Sequence, residues 1–177
     1  MIAVFGSGTT AAPHARAAGR AIASRGHDLL TGGGGGCMQA ALEGFLEVGD
    51  RTGQSHAILP RHQYQPSGYD QVVRTCFDAP KDMGATPYSR NLVNVAFCHG
   101  CIFVSDTLGT LTEVVWMHRL GKPAAFFGPA ATWLRAEALL REKQACHDVV
   151  VATPTTNLQP EAMALLDRLI RRVTPKK

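Results

Sequence analysis

The sequence predicts a Rossmann-like α/β fold, a doubly wound, mostly parallel sheet with helices on both faces. Three observations predict it. Short β-like apolar runs alternate with longer helical ones along the chain. Two glycine-rich turns, Thr31–Met38 and Ser105–Glu113, follow predicted strands and run into predicted helices. The length, 177 residues, suits one compact domain with a sizeable core.

The elements follow in order. Ile2–Phe5 reads as a buried strand ending at Gly6-Ser7-Gly8, and His14–Arg25 as a helix stopped by Gly26. His27–Leu30 is a second strand running into Thr31-Gly32-Gly33-Gly34-Gly35-Gly36. Cys37–Val48 is helical, with Met38, Ala41, Leu42, Phe45 and Leu46 on one face. Ser55–Leu59 is a strand closed by Pro60, Arg61–Asp70 a surface loop and Gln71–Phe77 a strand. After a loop over Lys81–Pro87 come a helix at Tyr88–Cys98, a strand at Cys101–Val104 and a helix at Thr110–Leu120 closed by Gly121. Ala124–Phe127 is a strand, Ala131–Ala145 a helix and Val149–Val151 the last strand. A final helix carries Ala162, Leu165, Leu166, Leu169, Ile170 and Val173 at helical spacing. Residues 1–173 are expected to form a single nucleotide-binding domain, with 174–177 a basic C-terminal tail.

Composition narrows the function classes. The chain is 45% hydrophobic and 18% charged, ordinary for a soluble globular protein. The net charge of +4 lies partly in the tail, and the basic residues form no stripe interleaved with aromatics, so no nucleic-acid partner is expected. A mild positive balance favours a small anionic ligand. No apolar run reaches the length of a membrane span, and the N-terminus reads as a strand and not as a signal peptide. Five scattered cysteines, an odd number, fit a reducing cytoplasm.

In a parallel sheet, ligands bind beyond the carboxyl ends of the strands near a topological switch point. The turns after the first, second, third and fifth strands therefore share one edge. A helix N-terminus there offers unpaired N–H groups and a positive dipole end, suited to phosphate, and glycine lets the amides approach its oxygens. The run Gly32–Gly36 reads either as such a cradle or as a tight strand–helix connection without a ligand. It is not a Walker A loop, because no Lys-Ser/Thr pair follows it. In the second turn, Thr110-x-x-Glu113 fits a capping box, which would make Glu113 a helix-end acceptor and not a chemical group.

Thr31–Gly44 (TGGGGGCMQAALEG) and Ser105–Glu113 (SDTLGTLTE) resemble the paired signatures of the LOG (Lonely Guy, lysine-decarboxylase-like) family, GGGxxGxM and PGGxGTxxE. The resemblance runs from the first strand through about Gly128, and extends to the molybdenum-cofactor carrier proteins of the same fold. Arg90 stands fifteen residues before the second turn, where LOG enzymes keep a catalytic arginine. The pair Arg90-Asn91, in place of Arg-Lys, and the Thr-Gly-Gly-Gly start lean toward the carrier-like branch.

The resemblance implies a nucleoside 5′-monophosphate phosphoribohydrolase that cleaves the N-glycosidic bond to free base and ribose 5-phosphate, with Arg90 and Glu113 as the catalytic pair. A carboxylate stabilises an oxocarbenium-like transition state and activates water, and an arginine orients it or binds phosphate in a fork. The alternative for Arg90 is a surface ion pair near a helix start. Ligand and phosphate contacts are expected from Gly6, Ser7, Gly33, Gly34, Gly35, Gly36, Met38, Ser105, Asp106, Thr107, Gly109 and Thr110. The alternative function is a non-catalytic carrier of a phosphorylated ligand such as molybdenum cofactor. No cofactor or metal is expected to be required, and a bound nucleotide or molybdenum cofactor is the expected small-molecule partner. The resemblance also implies a homodimer or higher homo-oligomer.

One departure bears on function. Where the family has Pro-Gly-Gly, this chain has Ser105-Asp106-Thr107. Asp106 places a negative charge beside the expected phosphate unless it points away or pairs with a cation. Cys98-His99-Gly100-Cys101 is a CxxC read as structural, since no second CxxC completes a zinc site. His56 and His62 lie near the binding edge and read as surface groups or ligand contacts.

Overall fold

A computed structural model describes residues 1–11, 13–62, 66–77, 90–128, 133–142, 164 and 167–171. The predicted loop Lys81–Pro87, the start of the helix at Tyr88 and Ser89, the strand Val149–Val151 and the tail 174–177 lie outside them.

The strands are β1 (Ile2–Phe5), β2 (Leu29–Thr31), β3 (Ser55–Leu59), β4 (Gln71–Arg74), β5 (Gly100–Phe103) and β6 (Ala124–Phe126). The helices are α1 (Pro13–Ala23), α2 (Gly36–Leu46), α3 (Arg90–Phe97), α4 (Leu108–Arg119) and α5 (Leu134–Glu142). The six strands form one sheet in the order β4-β3-β2-β1-β5-β6. Every pairing is parallel, with Ile2 opposite Leu29 on one side and Gly100 on the other. The sheet is thus the Rossmann-like one expected, and wholly parallel among its described strands.

The two faces follow from the period of two along each strand. Ile2 and Val4 of β1 point into a core built with Ala15, Ala18 and Ile22 of α1 and Ala41 and Phe45 of α2. Ala3 and Phe5 point the other way, against Val95 of α3, Leu111, Val114 and Met117 of α4, and Trp133. Leu169 and Ile170, from the predicted final helix, join the first core, and residues 167–171 are helical. Both faces being covered, β1 is buried along its whole length.

The chain moves outward from β1 in one direction through β2, β3 and β4, then returns to place β5 on the other side of β1. The switch point lies between β1 and β5. The turns that follow β1 and β5 part there, and the β2 turn stands beside them.

Candidate functional site

The glycines let these turns interlock. Gly33 and Gly36 have φ of +66° and +54°, a region that L side chains avoid. A Cβ on Gly36 would stand 2.4 Å from the Ser7 carbonyl oxygen, and one on Gly6 would stand 2.8 Å from Cys37 Cβ. The Cys37 N–H donates to the Ser7 carbonyl at 2.8 Å. The buried Ser7 hydroxyl accepts from the Thr10 N–H at 3.1 Å, and the Ser7 N–H donates to Ser105 Oγ at 2.6 Å. Ser105 thereby ties the β1 turn to the β5 turn across the switch point. Met38 lies beneath the glycine run, its Cε 2.5 Å from where a Gly34 Cβ would be. Of the two readings of Gly32–Gly36, the tight connection accounts for Gly33 and Gly36 by geometry alone. Gly35 is exposed and Gly34 half-buried at the rim, where an anion can approach.

The second turn differs from the sequence reading. The helix α4 begins at Leu108, its N-cap is Thr107, and the Thr107 side chain accepts from the Thr110 N–H at 3.3 Å. The two hydroxyls also meet at 2.8 Å. The capping box read at Thr110-x-x-Glu113 is therefore corrected: the cap lies one turn earlier. Thr110 is buried inside the first turn and Glu113 stands a turn beyond the cap. Thr107 fills part of the helix end that a glycine would leave open.

Asp106 is not a bare charge. The Arg135 guanidinium, from α5, donates through Nε at 3.1 Å and Nη2 at 3.0 Å to Asp106 Oδ2, and through Nη2 at 2.8 Å to the Asp106 carbonyl. Arg135 is 61% exposed at its side chain, so this cation stands in solvent beside the start of α4.

Behind the turns is a buried polar group. Arg90, the first residue of α3, donates through Nη1 to the Gly32 carbonyl and, at 3.2 Å, to the Ile58 carbonyl. It therefore holds the carboxyl ends of β2 and β3, and the surface ion pair is excluded by its inward position. Burial lowers its pKa, while Glu113 and Tyr69 act in the opposite sense. Glu113 is 8% exposed. Burial pushes its carboxyl up to about 8, against the opposing pull of Arg90 and of the Asn94 amide. The carboxyl accordingly holds its proton at neutral pH. The Tyr69 hydroxyl meets Thr31 Oγ1 at 2.6 Å, and burial raises its pKa. Thr31 Oγ1 also accepts from the Gly33 N–H at 3.0 Å.

Asn91, beside Arg90, donates to Thr112 Oγ1 at 2.7 Å and to the Gly109 carbonyl at 3.3 Å, fastening α3 to the first turns of α4. The structure thus brings Arg90 and Glu113 together behind the turns. Gly6, Ser7, Gly33–Gly36 and Met38 belong to the turns after β1 and β2 and the start of α2, and Ser105, Asp106, Thr107, Gly109 and Thr110 to the turn after β5 and the start of α4.

Asn94, Tyr69 and Arg135 are members that sequence reasoning missed. Asn94 carried a signal, since it stands four residues after Arg90 and so shares its helix face. Tyr69 and Arg135 carried none, because only the fold brings their segments to this edge.

Outside the group, Cys98 and Cys101 Sγ atoms lie 3.5 Å apart, both buried. Among the described residues no cluster of His, Cys, Asp and Glu is arranged to hold a metal ion, and no helix is long and apolar enough to cross a membrane. His56 is half-buried on β3 and His62 exposed beyond it.

A parallel Rossmann-like sheet with its glycine turns gathered at the switch point, and a buried arginine–glutamate pair behind them, defines a LOG-like protein. The chain belongs to the SLOG cluster4 family, whose model matches residues 1–158. It is also similar to solved structures of two proteins that handle molybdenum cofactor. The molybdenum cofactor carrier protein of Chlamydomonas reinhardtii superposes with a TM-score of 0.72 at 25% identity, over 96% of this chain and 97% of that one. The molybdenum cofactor binding protein of Rippkaea orientalis has the same TM-score of 0.72 and 25% identity, over 97% and 95%. An uncharacterized protein of Archaeoglobus fulgidus is 32% identical over 112 residues, 63% of this chain and 66% of its own length.

Proposed function

We propose that this protein binds a phosphorylated small molecule at the β1–β5 switch point and carries it without cleaving it, with a molybdenum-cofactor-like pterin phosphate as the class of cargo. One observation carries the reading: Glu113 is buried, and that burial favours the neutral carboxyl at pH 7 in the ligand-free protein. Stabilising an oxocarbenium-like transition state requires a carboxylate, and a neutral carboxyl offers a hydrogen-bond donor instead. The likeness to the two molybdenum cofactor proteins supports the same reading, because it extends over nearly the whole of each chain.

The phosphate end has a place in this arrangement. The first N–H groups of α4, at Leu108 and Gly109, have no intrahelical acceptor, and Gly34 and Gly35 face the same rim. Arg135 offsets the charge of Asp106 there.

A second reading keeps a specific observation in its favour. Arg90 and Glu113 interact behind the turns at the spacing of the LOG pair, which suits phosphoribohydrolysis once a ligand draws Glu113 into its charged form. Purified protein incubated with AMP, CMP and related monophosphates separates the two. Saturable binding, or a pterin phosphate found by mass spectrometry of the purified protein, with no release of free base, supports the carrier. Release of base that Glu113→Gln abolishes replaces it with the hydrolase.

A further inference from the structure

Asn94 is wholly buried, at 0% exposure, and neither Oδ1 nor Nδ2 closes a hydrogen bond of normal geometry among the described residues, although its amide lies near enough to bear on the Glu113 carboxyl. A buried carboxamide normally satisfies both ends, and each orphaned end destabilises the fold. The residue after it, Val95, belongs to the core that also holds Val114 and Met117 of α4. A leucine would fill such a place with no unsatisfied atom. A carboxamide at this place calls for a polar partner.

Its neighbour supplies the partner. Asn94 stands one helical turn after Arg90, near the point where Asn91 fastens α3 to α4 beside Glu113, and its amide bears on the Glu113 carboxyl. Arg90 is committed to the Gly32 and Ile58 carbonyls and acts on Glu113 only through space. Asn94 thus adds an uncharged amide donor beside that carboxyl. The other titratable groups that bear on this place are Cys98 at the end of α3 and Cys101 on β5, with Tyr69 facing Arg90. Neither thiol is a donor comparable with an amide N–H.

We propose that Asn94 is the positioning residue for Glu113: its amide N–H groups hold one carboxylate oxygen when a ligand's N–H or O–H donors engage the other. The proposal rests on the binding reading for its ligand, while the influence of the Asn94 amide on Glu113 does not depend on one. Binding then moves one proton from the Glu113 carboxyl to solvent, and the carboxylate, with one oxygen on Asn94 and the other on the ligand's donors, is held as an acceptor and not as a base for water. The orphaned donor becomes satisfied, and the ligand meets an oriented acceptor in place of a neutral acid.

The test uses the full chain, labelled with ¹³C at the glutamate side-chain carboxyl and assigned with Glu113→Gln. The Glu113 titration midpoint is read by NMR in the ligand-free wild type, in Asn94→Leu and in Asn94→Ser, which retains a short donor. The expected result is a rise of at least half a pH unit in the leucine variant, about threefold in proton affinity, and a smaller rise in the serine variant. Should the leucine variant fail to fold, the serine variant must still show the rise. AMP and ribose 5-phosphate are then titrated calorimetrically in two buffers of different ionisation enthalpy. Proton release in the wild type, with release lost and affinity lowered about tenfold in the variants, supports the proposal. A midpoint unmoved in both variants, whatever their melting temperatures, overturns it and leaves Asn94 a structural residue. A raised midpoint in a protein whose wild type binds neither probe upholds the positioning of Glu113 and overturns the part of the proposal that has these phosphates ionise it.

Discussion

The guanidinium of Arg90 is anchored to the main-chain carbonyl of Gly32, at the first position of the glycine run. A Cβ at Gly32 would lie 2.3 Å from Arg90 Nη1, so the glycine makes room for the arginine. The two features that looked like separate parts of a ligand site are one mechanical unit. Arg90 links α3 to the ends of β2 and β3, and it carries its charge to the neighbourhood of Glu113 without neutralising it by direct contact.

Glu113→Gln is expected to change the pH dependence of stability more than stability itself. The folded-state pKa, about 8, lies above the ordinary glutamate value of 4.5. Between those limits the folded protein binds more protons than the unfolded one, so raising pH destabilises the fold. Wild type should match the variant in mild acid, lose on the order of a few kcal/mol as pH rises toward 8, and level off above it. The variant should show a flatter profile in urea melts across this range. A parallel loss of stability in both proteins would contradict the assignment.

Arg135→Ala should leave stability within about 1 kcal/mol of wild type, because an exposed ion pair contributes little. Binding of ribose 5-phosphate should weaken, since Asp106 then faces the anion unpaired. Adding Asp106→Asn to that variant should restore most of the affinity. Titrations at low and high salt check this, because the effect of Arg135 should shrink as ions screen it.

Thr107→Gly exchanges an N-cap hydroxyl for an open helix end. Substitution of a threonine cap by glycine costs only a few tenths of a kcal/mol. With the Thr107 oxygen gone, the Thr110 N–H becomes available to an anion. Affinity for a phosphate monoester should rise several-fold, as read by calorimetry, with a melting temperature lowered by no more than a few degrees.

Gly36→Ala tests the interlock of the turns. At φ of +54°, with the Ser7 carbonyl 2.4 Å from the added Cβ, the new methyl group meets backbone and cannot be accommodated by a side-chain rotation. The expected loss is about 3 kcal/mol or more in denaturant melts. A variant as stable as wild type would mean that the turns do not depend on this contact.

Most of the fold was legible in the chain because its signals are local. The apolar runs at Ile2–Phe5 and Ser55–Leu59 match strands end for end, and Gly26 and Gly121, with φ of +68° and +61°, close helices where the sequence places their stops. Helix starts were less legible. Leu108 and Gly109 are poor markers of a helix start, so the sequence pattern places the start of α4 at Thr110, two residues late, where Glu113 matches the capping-box acceptor. The choice is made by the Thr107 hydroxyl, which competes for the Thr110 N–H.

The sequence by itself determined the parallel α/β architecture and the place of the glycine turns, which follow from periodicity and local backbone demands, while the pairing of Arg90 with Glu113 came from the resemblance to the LOG family. Tertiary structure alone decided what these residues experience. The burial that keeps Glu113 protonated, the union of Asp106 with Arg135 of α5 and the unsatisfied amide of Asn94 arise where segments far apart in the chain exclude water from one another. Desolvation and pairing depend on the sum of all neighbours in space, and no window of sequence contains that sum.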